Sequence, residues 1–288
     1  MALPFHSLTD AKPFKFLVGT TGKPFFIHAK LAAHQSSTLA TLIDGAMLEA
    51  ERKFAVFNDV DEDTFIRFME FAYTGDYSVA EPAVVLPPPD LDVENGDGSR
   101  GGADSPILDA SDAYLPADPP EEARSEEPYF GFRPPRAKKD KKKRNTDLWD
   151  FGASRAIVRS SSPWRPTSNT DDSEDYTLVF LCHAKLYVFA DKYSIGPLLD
   201  LVLLKLRLNL STFNLHSRRT GDVVELLKYA YEHTADYPEG IDRLRDMVTD
   251  YVMCHLERIV AHGDFKKLLQ ENGDVAKDLM PKVVQRLD

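Results

Sequence analysis

The sequence has few cysteines and no long uncharged apolar run. Two of its 288 residues are cysteines, Cys182 and Cys254, and both fall in apolar helical patterns, which favours buried free thiols in a reducing compartment. No apolar stretch reaches the roughly 18 residues that a membrane-spanning helix requires. The first residues lack a basic segment followed by an apolar one, so no secretory signal is expected. We therefore predict an intracellular protein, in the nucleus, the cytoplasm or both, with no membrane partner.

The sequence also lacks a recognisable catalytic or metal-binding constellation. The stretch Gly19–Pro24 resembles a phosphate-binding loop, but two residues instead of four separate its glycines and proline follows the lysine, so a hairpin turn is predicted. His28 has no acidic or thiol residue at triad or chelating spacing, which favours a structural histidine. Cys182–His183 and Cys254–His255 are adjacent pairs, whose side chains diverge on a helix and do not match the spacing of zinc ligands. We expect a non-enzymatic protein that needs no cofactor and no metal.

Prolines and charges are concentrated in one part of the chain. Thirteen of the 19 prolines lie between positions 82 and 166. In residues 81–127 thirteen side chains are acidic and two are basic, whereas in residues 128–165 eleven are basic and three are acidic. Such a stretch buries too little apolar surface to offset the entropy lost on ordering it. We predict a disordered, low-complexity insert over residues 81–175, and we expect that replacing residues 84–172 by a short linker leaves a folded protein.

Two features of this insert point to partners. The first is a basic run that resembles a nuclear import signal, with a solvated charge run as the alternative. Its cations are Arg136, Lys138, Lys139, Lys141, Lys142, Lys143 and Arg144. The second is the pair Trp149 and Trp164, since tryptophan is normally recruited to a core or an interface. We interpret the two tryptophans as linear-motif anchors for a protein partner, and the basic run as an import signal or a weak nucleic-acid patch. The net charge of −11 disfavours nucleic acid as the main partner of the chain.

Before the insert, the residue pattern predicts a small sheet and several helices. Apolar residues alternate with other residues over 14–18, and a turn with Gly22 leads to a second short strand around residues 25–27. A helix begins at Ala29 and carries Leu31 and Ala32. Ser36 or Ser37 is the N-cap of the next helix, which aligns Leu39, Leu42 and Ile43. A third strand covers 54–57, and acidic residues open a helix that Gly75 ends. The order is strand, strand, helix, helix, strand, helix, which is an α+β arrangement.

After the insert, the apolar spacing is helical throughout. Pro197 is well placed as the first residue of a helix, and apolar stripes continue over residues 198–208 and 223–231. A long helix is predicted from about 241 to 261, followed by a shorter one. An amphipathic segment then covers residues 275–287. We find no internal repeat.

Three short motifs outside the insert resemble those of a BTB/POZ domain of the fungal type. The first is Ile27-His28-Ala29-Lys30 at the end of the second strand, followed by Leu31 and Ser36. The second is the end of a helix with Phe65, Phe68, Phe71, Tyr73, Thr74 and Gly75. The third is Ala-Asp-Lys-Tyr at residues 190–193, after the insert. The resemblance covers roughly 95 core residues in two pieces.

The resemblance implies a divided domain with a helical tail. We expect an N-terminal leader over 1–13, the first part of the domain over 14–80, the insert over 81–175 and the last helices of the domain over 176–209. An all-helical extension then covers 210–288. The implied fold is α+β, with a small sheet and a helical cluster that are interrupted by a disordered loop. Phe68, before the insert, and Leu186, after it, are predicted core residues.

The resemblance also implies a docking role without catalysis. In related adaptors a hydrophobic-x-acidic motif contacts a cullin scaffold of ubiquitin ligases, and Met47, Leu48 and Glu49 match it here. A substrate adaptor for such a ligase is therefore the leading hypothesis. The alternative is a nuclear, transcription-associated scaffold that uses the same surface. A dimer that exchanges N-terminal strands is not favoured, because few residues precede the first strand. Self-association through another surface of the domain is left open.

Overall fold

The structure is a computed structural model that describes residues 6–45, 48–85, 151, 164–237 and 240–287. The described residues all belong to one compact unit, which is drawn from residues 1–87 and 145–288. The two folded segments on either side of the predicted insert therefore belong to one unit. The described part of the chain is a mixture of α and β structure in which helices predominate.

The first segment contains a three-stranded sheet and five helices. In chain order its elements are α1 (His6–Thr9), β1 (Pro13–Val18), β2 (Lys23–His28), α2 (Ala29–Gln35), α3 (Ser37–Asp44), α4 (Leu48–Arg52), β3 (Phe54–Phe57) and α5 (Glu62–Thr74). The strand order is β2-β1-β3, with β1 antiparallel to β2 and parallel to β3. The predicted order of strands and helices is confirmed, with α1 and α4 in addition.

Local sequence signals begin and end these elements as predicted. Gly19 and Gly22 have positive φ and form the β1–β2 hairpin turn, in which the amide of Gly22 donates to the carbonyl of Gly19. The Ser36 hydroxyl accepts from the amide of Leu39 at 3.1 Å and is the N-cap of α3. Gly75 adopts φ 78° and ends α5.

The second segment is helical after one short strand. Its elements are β5 (Glu174–Asp175), which pairs with β4 (Ala83–Val84), then α6 (Thr177–Lys192), α7 (Gly196–Thr212), a 3-10 turn at Ser217–Arg219, α8 (Thr220–His233), α9 (Arg243–Cys254), α10 (Leu256–Ile259), α11 (Gly263–Glu271) and α12 (Gly273–Leu287). Pro197 lies in the first turn of α7, as predicted. The long helix predicted from 241 to 261 is divided at His255, where the backbone leaves helical geometry and α10 turns toward α8.

Apolar side chains from both segments fill one core. Phe57, Phe65 and Phe68 from the first segment contact the ring of Phe189 on α6, with centroid distances of 6.2, 6.3 and 4.9 Å. The predicted core residues Phe68 and Leu186 are both fully buried. The ring of Tyr193 stacks on Phe57 at 4.8 Å, so the end of α6 also packs against the sheet. The two segments therefore depend on each other for burial of their aromatic residues.

A buried polar network also joins the two segments. The Tyr77 hydroxyl, just after α5, lies 2.6 Å from Nδ1 of His183 on α6, and Asn209 of α7 donates to Nε2 of His183 at 2.7 Å. Lys205 of α7 is buried, donates to the carbonyl of Tyr77 at 2.7 Å and forms an ion pair with Asp76. Because a buried cation without a partner is costly, this network fixes how the segments meet.

The folded unit extends into the stretch predicted to be a disordered insert. At the start of that stretch, Ala83 pairs with Asp175 and Val84 with Glu174. Near its end, Asn169 is buried, and Phe151 is 6% exposed and contacts the ring of Tyr251 edge-on at 5.2 Å. Ordered structure therefore extends past residue 81 at one end of the predicted insert and begins before residue 175 at the other. Composition averaged over the whole stretch masks short pieces whose backbone and aromatic groups find partners in the core.

Candidate functional site

The predicted cullin-contact motif lies partly within the described residues. Met47 lies outside them. Leu48 is the first residue of α4, and Glu49 is half-buried in the first turn of the same helix. Leu48 and Glu49 thus belong to the short helix between α3 and β3. Acidic side chains are favoured in a first helical turn, so Glu49 has a local structural reason to be there in addition to its predicted role.

The predicted partner motifs of the insert are divided in the same way. The basic run 136–144 and Trp149 lie outside the described residues. Trp164 is half-buried, and the ammonium of Lys205 lies 5.0 Å from the centroid of its indole ring. This cation–π contact helps to cover the buried ammonium of Lys205. Trp164 therefore packs against the folded unit, and its role as an anchor for a second partner stays a prediction.

Sequence reasoning missed an apolar surface on the sheet. The register places six side chains on the side of the sheet opposite the core, in two rows across the three strands. One row is Phe26, Lys15 and Phe54, and the other is Pro24, Leu17 and Val56. Five of these six residues are apolar. We call these six residues the outer sheet face.

The outer sheet face is open to solvent. Phe26 is 57% exposed and Val56 is 49% exposed, whereas their neighbours Ile27 and Phe57 are buried on the core side. The Lys15 ammonium lies 5.1 Å from the centroid of the Phe54 ring, which keeps its charge at the surface while its stem covers part of the face. Scattered exposed apolar residues are ordinary, but a contiguous apolar patch marks an interaction site.

A signal for this surface was present in the sequence. The strands β2 and β3 read KPFFIH and FAVF, in which apolar residues stand at consecutive positions. A strand with one solvated face normally alternates between apolar and polar residues, whereas consecutive apolar residues are typical of strands covered on both faces. The strand sequences thus indicate that both faces of the sheet are covered. The described helices cover only the core side.

The histidines singled out in the sequence have structural partners. Nδ1 of His28 lies 2.7 Å from the Tyr73 hydroxyl, which ties the end of β2 to α5. His183 belongs to the buried network, where burial and the nearby charges of Lys205 and Arg67 lower its pKa to about 3. Within the described ranges no group of three or more His, Cys, Asp or Glu side chains is placed to hold a metal ion.

Among the helices that the structure describes, none combines the length and apolarity needed to cross a membrane. A comparison with models of known protein families finds no match, and a comparison with curated proteins finds none.

Proposed function

We propose that this chain is a non-enzymatic protein-docking module of the BTB/POZ type. The element order of the first segment supports the proposal, as does the packing of α5 and α6 in one core. Among the residues that suggested the family, Phe65, Phe68 and Phe71 are buried along α5, and residues 190–193 lie at the end of α6. These residues form the core and therefore explain the fold. A docking function must depend on residues at the surface.

The observation that carries the docking role is the outer sheet face. Strands in a sheet lie about 4.8 Å apart and alternate residues on one face about 7 Å apart, so side chains in two rows over three strands cover roughly 15 by 12 Å. A stable homodimer buries about 800 Å² on each partner. The face alone is too small for that purpose, and it fits one side of a short helix or strand from another protein.

Two more specific roles remain proposals. The adaptor role for a cullin ligase depends on Met47, Leu48 and Glu49, and Glu49 on α4 is the member that a charge reversal tests directly. The alternative, a nuclear transcription-associated scaffold, depends on the basic run 136–144. The cellular location of a fluorescent fusion, with and without the five lysines of that run, tests the second role independently of the first.

A pair of matched surface variants tests docking through the sheet. The double variant Phe26→Thr and Val56→Thr removes apolar surface and keeps residues that suit a strand. The control is Met280→Thr and Val284→Thr, which changes two exposed apolar residues on α12. Full-length chains carrying each pair are compared with the wild type by quantitative affinity purification from cells, with cross-links mapped to the bait.

The sheet variant should lose the stoichiometric partners, and its melting temperature should equal that of the wild type. In the wild type the cross-links should map to β1–β3. The α12 variant should retain those partners. Equal recovery from all three baits would contradict docking through the sheet. Cullin recovery that is reduced by Glu49→Lys but not by the sheet variant would support the adaptor role through α4 instead.

A further inference from the structure

One edge of the sheet carries a group of exposed cations. The strands β1 and β3 are parallel and begin at the same edge, and antiparallel β2 ends there, with Pro13 opposite His28. Residues that precede β1 and β3 or follow β2 therefore come together at this edge. Those with positive side chains are Lys12, Lys30, Arg52 and Lys53, all of them exposed. We call these four residues the basic edge.

The basic edge is not neutralised by the described part of the chain. None of its four cations forms an ion pair with a carboxylate among the described residues. By contrast, ion pairs with carboxylates are formed by the exposed Lys23, Lys192, Arg243 and Lys277. Asp10 and Glu51 are close in sequence, and neither forms an ion pair with the basic edge within the described ranges. Lys15 of the outer sheet face, whose ammonium lies over Phe54, adds a fifth positive charge beside the same edge.

This positive edge contrasts with the net charge of the chain, which is −11. The overall charge repels acidic partners and the local charge attracts them, so an acidic ligand is steered to this place. A second copy of the chain bound through the same surface would present a basic edge of its own, which supplies no opposite charge to this one. The positive charge and the small area of the face therefore favour an acidic partner over self-association at this surface.

The chemistry of the adjoining face separates a protein ligand from a nucleic acid. Basic and aromatic groups together are typical of single-strand binding, where bases stack on aromatic rings. Here the row Pro24, Leu17 and Val56 offers aliphatic surface with no flat ring, and half of the face therefore cannot stack with a base. Aliphatic and aromatic side chains side by side suit the apolar side of a peptide.

From these observations we infer that the outer sheet face and the basic edge together bind an acidic amphipathic segment of a protein partner. The inference rests on the proposed docking function and names the class of its partner. A helix of about ten residues is 15 Å long and presents apolar side chains at i, i+4 and i+7. Such a segment covers the two rows of the outer sheet face, and acidic residues at one of its ends meet the basic edge.

The test uses the full chain and a fluorescein-labelled helical peptide of about twelve residues, with leucines on one side and glutamates at one end. A peptide of the same composition in scrambled order measures charge attraction without the apolar side. A labelled single-stranded oligonucleotide measures nucleic-acid binding. Fluorescence anisotropy gives each Kd at low salt and at roughly 0.5 M salt, where charge attraction is screened.

Single substitutions at exposed sites distinguish the parts of the surface. Lys12→Glu and Lys30→Glu should each weaken peptide binding by about three- to tenfold at low salt and much less at high salt. Phe26→Thr should weaken it by about tenfold at both salt concentrations, since the apolar contact is not screened. The matched control is Lys266→Glu on α11, an exposed lysine outside the sheet, and it should leave the Kd unchanged.

Three outcomes would overturn the inference. The first is equal affinity for the amphipathic and the scrambled peptide. The second is equal weakening by Lys266→Glu, which would mean unspecific charge attraction. The third is binding of the oligonucleotide alone. If no peptide binds but the sheet variant still releases the cellular partners, the docking function stands and the acidic class is wrong; if both measurements fail, the docking function fails with it.

Discussion

His183 couples the buried network to pH. Its pKa in the folded protein is about 3, against an ordinary value of 6.5, because burial and the charges of Lys205 and Arg67 disfavour the imidazolium. In the unfolded chain the imidazole of His183 takes up a proton below about pH 6.5, whereas in the folded protein it does so only near pH 3. This depressed pKa therefore makes the free energy of unfolding fall as pH decreases through that window, by roughly 1.4 kcal/mol for each pH unit.

Urea unfolding at pH 7, 6 and 5 measures this effect. His183→Gln keeps a polar side chain and removes the titration, so the variant should lose the part of the pH dependence that belongs to His183. Its free energy of unfolding at pH 7 should be lower than that of the wild type, because Tyr77 and Asn209 lose well-placed partners. Parallel pH profiles for the two proteins would show that His183 does not stay neutral in the fold.

Asp222 acts in the opposite direction. Burial raises its pKa to about 6, against the contributions of the Tyr176 amide and Arg219. Since the folded protein holds this proton more tightly than the unfolded chain, the contribution of Asp222 is present at low pH and is lost as pH rises from about 4 to 6. Asp222→Asn removes this titration. The free energy of unfolding at pH 7, relative to its value at pH 4, should therefore be higher in the variant than in the wild type. The same urea series measures it, and an unchanged profile would contradict the shift.

Single core residues were the most predictable feature from sequence. Phe68 and Leu186 are both at 0% exposure, as their helical spacing indicated. Replacing either with alanine should cost on the order of 2–5 kcal/mol of unfolding free energy, because each leaves a cavity in a core shared by two segments. The matched control is Ile66, which is exposed on the solvent side of α5, and Ile66→Ala should cost much less. A change below about 0.5 kcal/mol at Phe68 would contradict the packing.

Elements were predictable where one signal dominated. The strands and α5 followed from apolar spacing, and Ser36, Gly75 and Pro197 marked ends and starts by their own backbone chemistry. The division of the predicted 241–261 helix was not predictable, because apolar spacing continues across His255 and only the packing of α10 toward α8 decides it. The β4–β5 ladder was also hidden, since two residues carry no periodicity.

Asn169 shows how a non-repetitive segment is held to the folded unit. Its side chain is buried, donates to the carbonyl of Asn214 at 2.8 Å and accepts from the amide of Asn214 at 2.6 Å, as a strand neighbour would. Asn169→Ala should cost about 1–3 kcal/mol, because the amide and the carbonyl of Asn214 lose their partner. Asn169→Asp should cost more, since it brings a carboxylate to a carbonyl oxygen. Chemical denaturation measures both, with the exposed Thr170→Ala as control, and equal stability of all three would contradict this role.

The outer sheet face shows the limit of sequence reasoning at the scale of the whole molecule. The alternation of Phe14, Phe16 and Val18 correctly indicated the buried side of β1. The opposite side becomes a surface only when β3, distant in sequence, lies in register with the β1–β2 hairpin and Lys15 lies between Phe26 and Phe54. The basic edge has the same origin, because a parallel and an antiparallel pairing bring cations together that are 41 residues apart, from Lys12 to Lys53.

The extent of the folded unit gives the last prediction. Composition predicts that residues 84–172 are dispensable, whereas the structure places Val84 in β4, buries Phe151 against Tyr251 and holds Asn169. Replacing residues 88–144 with a flexible Gly/Ser linker of about 20 residues should keep all of these contacts, and the melting temperature should change by only a few degrees, since loop closure depends weakly on length.

Replacing residues 84–172 should behave differently. Loss of a buried phenylalanine alone typically costs about 3–5 kcal/mol, and loss of β4 and the Asn169 contacts adds to it. We expect a much lower melting temperature, or loss of cooperative melting, in that variant. Phe151→Ala in the full-length chain separates the aromatic contribution from that of the ladder. Calorimetry of the three proteins makes the comparison, and equal melting temperatures for the short and the long replacement would show that the folded unit ends near residues 81 and 175 after all.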